Sequence, residues 1–305
     1  MNAHSLCILW RHAQRQDAAY QCLVAAVSHA LFMSPCWAVC VALCVCGLVC
    51  AQAALPGYRC PVDVHVIVAP VFATNCCLVV EGHGEPGAHV VIVDAGGGVA
   101  DAVIQMVEER GWLPQAVLAT HGHADHIWDA RPICERYGIP LRIHVDDVYR
   151  LSDPLGTLDG HTSQGQAQGQ VQAHGPVAAA MEQGLVACGC RVEDYQVPSQ
   201  VQPFDALGDD GNGMLIAGNI TVRVVHAPGH TQGAVVYVTD DIALTGDVVF
   251  AGTVGRTDLP GGDPKAMRKT LQRLHEVLDV SLGVVPGHGP ATTLKREIES
   301  NPYFQ

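Results

Sequence analysis

The run Thr120-His121-Gly122-His123-Ala124-Asp125-His126 places three imidazoles and a carboxylate within six consecutive positions. Imidazole nitrogen and carboxylate oxygen are donors that zinc, iron and manganese all accept. His121 and His123, two residues apart, point to one side of an extended segment. Asp125 and His126 then turn toward a neighbouring position. Three histidines and an aspartate crowd a single tetrahedral ion that must keep an open position for chemistry. A second metal relieves the crowding. The alternative is a polar loop in which the histidines coincide by chance.

Three more loops carry one ligand-type side chain each: Ala227-Pro228-Gly229-His230-Thr231, Thr245-Gly246-Asp247 and Pro286-Gly287-His288-Gly289-Pro290. The glycines and prolines fix the backbone of such turns and so aim the side chain. A single loop histidine is ordinarily a surface residue. Four loops with one shared placement point to a common site.

Each loop follows an apolar run of strand length. Strands are expected at 65–68, 75–80, 90–94, 116–119, 141–144, 221–226, 235–239, 242–245 and 282–285. Asp101–Arg110 has apolar residues at helical spacing, and helices are expected at 132–137, 264–277 and the C-terminus. Residues 159–175, rich in Gln and Gly, read as a flexible loop. Few crossovers early and βα units later imply a layered α/β (α+β) sandwich and not a doubly wound sheet.

The chain has 305 residues and 17 Lys+Arg against 30 Asp+Glu, a formal charge of −13, which excludes the basic stripe a nucleic-acid binder needs. Its 13 cysteines form no C-x-x-C pair, so neither a zinc ribbon nor a thioredoxin-like site is indicated. Seven of them lie in the first fifty residues. From Ala18 to Tyr58 no Asp, Glu, Lys or Arg occurs, and Ala51-Gln52-Ala53 resembles a leader-peptidase site. Residues 1–57 therefore form a hydrophobic, Cys-rich leader: a signal peptide, a membrane anchor or a start placed too early. Residues 58–305 form the second unit. A cytoplasmic location is expected, with anchoring or export through residues 31–55 as the alternative, and with membrane contact confined to that segment.

The run Thr120–His126, followed in order by the GHT, GD and GHG loops, resembles the metallo-β-lactamase-fold hydrolases. It is most similar to glyoxalase II-like (hydroxyacylglutathione hydrolase-like) members. That closer likeness lies in Thr74-Asn75-Cys76, in Gly255-Arg256-Thr257-Asp258-Leu259-Pro260-Gly261-Gly262-Asp263 and in Asn301-Pro302-Tyr303. The likeness covers about residues 62–304. It implies an αββα sandwich with metals at one edge. It also implies two metal sites, one of His121, His123 and His230, the other of Asp125, His126 and His288, with Asp247 bridging both. The expected cofactors are two divalent ions, zinc first, with iron or manganese accepted by the same donors. Such ions, roughly 3.5–4 Å apart, share a hydroxide that attacks a carbonyl near neutral pH. Asp125 is the expected catalytic residue, ligating and also orienting the nucleophile. Asp94 either orients the histidine loop or simply caps a turn.

The implied activity is hydrolysis of a small-molecule thioester or ester, a hydroxyacyl-glutathione being the leading form. Asp247 fits such enzymes better than the lactamases, which often carry Cys or Ser there. Basic residues that would grip glutathione carboxylates are scarce, since the only lysines are Lys265, Lys269 and Lys295. Arg256, in a loop that can approach the metals, is either a substrate-facing cation or, as the leading expectation, a structural partner of Asp258. Two alternatives remain: a mono-iron persulfide dioxygenase, which keeps the same His/Asp positions, and an inactive metal-binding interaction domain, which intact ligands at all seven positions disfavour. Metal identity and oligomeric state are open at this level.

Overall fold

Strand β2 (Asn75–Glu81, NCCLVVE) is buried along almost its whole length, as a strand covered on both faces must be. The computed structural model describes residues 61–159, 175–205 and 212–305. The leader at 1–57 and positions 160–174 of the Gln/Gly-rich loop lie outside the described residues.

Alternate side chains of β2 serve two cores. Cys76, Leu78 and Val80 pack outward with Val103 and Val107 of α1 (Ala100–Arg110) and Ile133 of α3 (Ala130–Tyr137). Cys77 and Val79 face inward against Val222, Val224, Val235 and Tyr237 of the opposing sheet. The side-chain period of two thus makes one strand the wall of two layers.

The first sheet has the order β1-β2-β3-β4-β5-β6, with β1 (Val62–Val68), β3 (His89–Val93), β4 (Leu113–Leu118), β5 (Leu141–His144) and β6 (Val201–Phe204). Pairing is antiparallel through β3 and parallel from β3 to β6. The second sheet comprises β7 (Asn212–Ala217), β8 (Ile220–His226), β9 (Val235–Val238), β10 (Ile242–Gly246), β13 (Gly283–Pro286) and β14 (Thr292–Thr293), in the order β14-β13-β10-β9-β8-β7. A small ribbon, β11 (Val249–Phe250) with β12 (Thr253–Val254), lies between β10 and β13 in the chain.

Helix α5 (Pro264–Val277) covers the outer face of the second sheet. Its buried residues, Met267, Thr270, Leu271 and Leu274, recur at helical spacing and form one stripe. Asp263 caps it by accepting from the N–H groups of Lys265 and Ala266, and Pro264 occupies the first turn. The layers are helix, sheet, sheet, helix, the αββα sandwich expected.

The expected strands form with their ends shifted by up to three residues, and the helix at 264–277 has those bounds. The β6 and β7 strands, α4 (Pro176–Ala187) and the 3-10 segment Val145–Ser152 were not anticipated. Among the described residues no helix is long and apolar enough to cross a membrane.

Candidate metal centre

All seven implied ligands meet at one edge of the sandwich. β4 runs into the loop of His121 and His123, and its next turn is the short helix α2 (Ala124–Ile127) bearing Asp125 and His126. β8 delivers His230, β10 delivers Asp247, and β13 delivers His288. The first sheet therefore supplies four of the ligands and the second sheet three.

In the first group, His123 Nδ1 lies 3.1 Å from His121 Nε2 and 2.9 Å from His230 Nε2. In the second, His126 Nε2 and His288 Nε2 are 3.3 Å apart, and Asp125 Oδ2 is 3.2 Å from His288 Nε2. Asp247 lies between them. Its Oδ2 is 3.5 Å from His230 Nε2, while its Oδ1 is 3.4 Å from His126 Nε2 and 3.6 Å from His288 Nε2.

The far nitrogen of three rings is hydrogen-bonded and that of a fourth faces a carboxylate, which turns Nε2 of each inward. His230 Nδ1–H donates to the Arg256 carbonyl at 2.7 Å, and His288 Nδ1–H to the Phe72 carbonyl at 2.9 Å. His126 Nδ1 lies 2.9 Å from Asp94 Oδ2. Thr120 Oγ1 donates to Asp94 Oδ2 at 2.8 Å, so it accepts from His121 Nδ1–H at 3.1 Å. Each of these imidazoles then presents Nε2 to the centre, a lone pair wherever the ring is neutral. His123 turns Nδ1 to both His121 Nε2 and His230 Nε2 while its Nε2 is buried without a partner, so one ring proton at most serves two facing lone pairs. Asp247 Oδ1 is also buried without a hydrogen-bond donor. The donor set fits a dinuclear metal site.

Electrostatics divides the two halves. Burial, followed by the neighbouring imidazoles, holds His121 and His123 well below the ordinary histidine range. In the second half burial also opposes charging, but carboxylates outweigh it. Asp94, Asp247 and Asp125 raise His126, and the nearby carboxylates of Asp125 and Asp247 raise His288 to about 10. Burial would raise Asp247, yet His126 and its neighbours drive it well below the carboxylate range. Where carboxylates crowd the rings, protons stand in for a cation.

The remaining motif residues frame the site. Asp94 accepts from Thr120 N at 2.7 Å as well as from its hydroxyl, so it orients the histidine loop. It does so from a left-handed backbone, φ 59°, an uncommon conformation for a non-glycine residue. Asn75 Nδ2 donates to the Pro286 and Gly289 carbonyls, at 2.9 and 3.0 Å, and so clasps the His288 turn. A Cβ on Gly287 would collide with Asp247 Oδ1 and come within 2.7 Å of His126 Cε1, so only glycine fits that turn. The Arg256 guanidinium makes two bonds to Asp258, 2.8 and 2.7 Å long, as expected. What it offers the centre is its backbone carbonyl.

A third His/Asp group, His144, Asp146 and His226, was not anticipated. His144 Nδ1 accepts from Asp146 N at 3.3 Å, and His226 Nε2–H donates to the Gln232 carbonyl at 2.8 Å. The two rings stack at 4.3 Å. Also unanticipated were the Phe72 carbonyl, which no side-chain pattern reveals, and Asp147, in an acidic pair that reads as a solvated surface.

Residues 69–292 match the sequence profile of the Metallo-beta-lactamase superfamily, and the chain belongs to that superfamily, most of whose members are metal-dependent hydrolases. An uncharacterized protein of Mycobacterium tuberculosis is 34% identical over 244 residues, covering 78% of this chain and 95% of its own. The hydroxyacylglutathione hydrolase GloC of Haemophilus influenzae is 26% identical over 244 residues, covering 79% of this chain and 98% of its own. The crystal structure of TTHA1623 in a di-iron-bound form is 28% identical with a TM-score of 0.56, covering 79% of this chain and 100% of that one.

Proposed function

We propose that the chain is a dinuclear metal-dependent thioester hydrolase acting on a hydroxyacyl thioester, with glutathione as the leading thiol. The observation that carries this reading is Asp247, one oxygen turned to His230 and the other to His126 and His288. His121, His123 and His230 would hold one ion, and Asp125, His126 and His288 the other. Zinc is the proposed metal; iron and manganese suit the same donors. When bound, the pair polarises a substrate carbonyl and activates water near neutral pH.

The chain's own residues orient and shield. Asp125 turns Oδ2 to His288, which leaves its other oxygen to accept a proton from the attacking water. The anchored Nδ1–H groups keep the rings from swinging during the reaction. Burial of five of the ligands, with Asp247 and His288 half-buried, keeps competing water away from the donors. Support for a thioester comes from the likeness to GloC and from Asp247, where a lactamase often has Cys or Ser.

The test is metal analysis coupled to hydrolysis of S-lactoylglutathione and of simple esters by the metal-loaded protein. Two ions per chain with thioester turnover are expected. One iron per chain with oxygen uptake on glutathione persulfide would replace the hydrolase by a dioxygenase. Full metal loading without turnover of any thioester or ester would leave a binding domain.

A further inference from the structure

Behind the first half of the centre lies a carboxylate that the ligand pattern does not include. Asp147, in the 3-10 segment Val145–Ser152, is completely buried. Its Oδ2 accepts from Gly122 N at 2.8 Å and from Thr231 Oγ1 at 2.7 Å. Its Oδ1 accepts from Gly233 N at 3.1 Å and faces Arg150 Nε at 3.4 Å. Gly122 separates His121 from His123, and Thr231 follows His230. One carboxylate therefore ties together the two loops that bear all three imidazoles of this half. None of its partners adjoins Asp125, His126 or His288.

The fit around it is tight. A Cβ on Gly122 would come within 2.8 Å of Arg150 Cδ, and one on Gly233 within 2.8 Å of Asp147 Cγ. Side chains at either position would push the loops off the carboxylate. Arg150, itself fully buried, balances the charge and extends the brace by donating from Nη2 to the Pro260 carbonyl at 2.7 Å. A buried carboxylate persists only when such donors and a counter-charge satisfy it. Asp94 faces His126 of the second half and, through Thr120, also reaches His121 of the first.

We propose that Asp147 is a positioning residue for the His121–His123–His230 half alone, setting the spacing of its two loops and hence that half's metal affinity. The inference rests on the dinuclear reading above. Outer partners of this kind change metal affinity by about 10–100-fold.

The test is a zinc titration of the chelator-stripped full-length protein against a chromophoric chelator, comparing wild type with Asp147→Asn. Asparagine keeps the shape but turns an NH2 toward donors. The wild type is expected to take up two ions, and Asp147→Asn to bind one of them at least tenfold more weakly while keeping the other. In a His230→Gln background the substitution should add nothing further, whereas in a His288→Gln background its full effect should persist. Thr231→Val, which removes one donor and keeps the fold's volume, should weaken the same ion to a lesser degree; it decides the matter if Asp147→Asn does not fold. Unchanged affinities, or equal loss at both ions with a lowered melting temperature, would mark a purely structural brace and overturn the proposal. A wild type that holds fewer than two ions would fail the dinuclear reading, and the inference with it.

Discussion

At the scale of single residues the centre works by opposition. Nitrogens anchored on one side are made to face each other on the other side, and Asp247 faces both sets. Asp247→Ala removes the shared donor, and we expect the loss of at least one ion and of hydrolysis; unchanged metal content by elemental analysis would contradict the bridging assignment. The histidine environments also set a proton dependence. His126 and His288 are raised in folded protein without an ion, His288 to about 10, so each must release a proton to ligate. Zinc uptake at that half should tighten as pH rises from about 6.5 toward the raised values and should release protons. His121 and His123, already held low, should release no protons on ligation in that range. Titration calorimetry in buffers of different ionisation heat reads both effects. These ligands were legible in the sequence because they cluster in short Gly/Pro-framed runs. Asp147 was not, because three of its four donors are backbone groups or a neutral hydroxyl that lie 25 to 86 positions away, and only Arg150 is near it in sequence.

At the scale of elements, the strands that carry ligands are the buried apolar runs, and these the sequence pattern locates to within a few residues. The elements that escaped it lack that signal. β6 contains Pro203, at the edge of its sheet, where a missing N–H is tolerated. β7 (NGMLIA) is partly exposed and does not alternate cleanly. α4 is built mainly of small residues beside a low-complexity run, so its helical stripe is faint. The helix α5, by contrast, has a clear stripe, a cap and a first-turn proline. Leu271→Ala in that stripe should cost about 2–5 kcal/mol of stability, measured by denaturant unfolding. Gly287→Ala is expected to abolish metal uptake at the second half, since the turn after β13 has no room for a methyl group beside Asp247 and His126.

At the scale of the whole molecule, the formal charge of −13 bears on substrate capture. An anionic thioester approaches a protein of its own sign, so salt should screen a repulsion. The Michaelis constant for S-lactoylglutathione is then expected to fall as ionic strength rises toward 0.1 M, where screening acts over about 10 Å. A rise would instead reveal a basic capture patch. Removing residues 1–57 should leave kcat and metal content unchanged, because every ligand lies at or beyond residue 121.

The division of ligands between the sheets has a mechanical meaning. Four come from the end of β4 and three from the ends of β8, β10 and β13, so ions held by both sets are rivets through the joint between two half-sandwiches. Their grip adds to stability by mass action, growing as the logarithm of ion concentration over dissociation constant. Stripping them should lower the melting temperature and speed amide exchange first along the seam where the half-sandwiches meet, ahead of either outer helical layer. Dismantling would then begin where catalysis is proposed to occur.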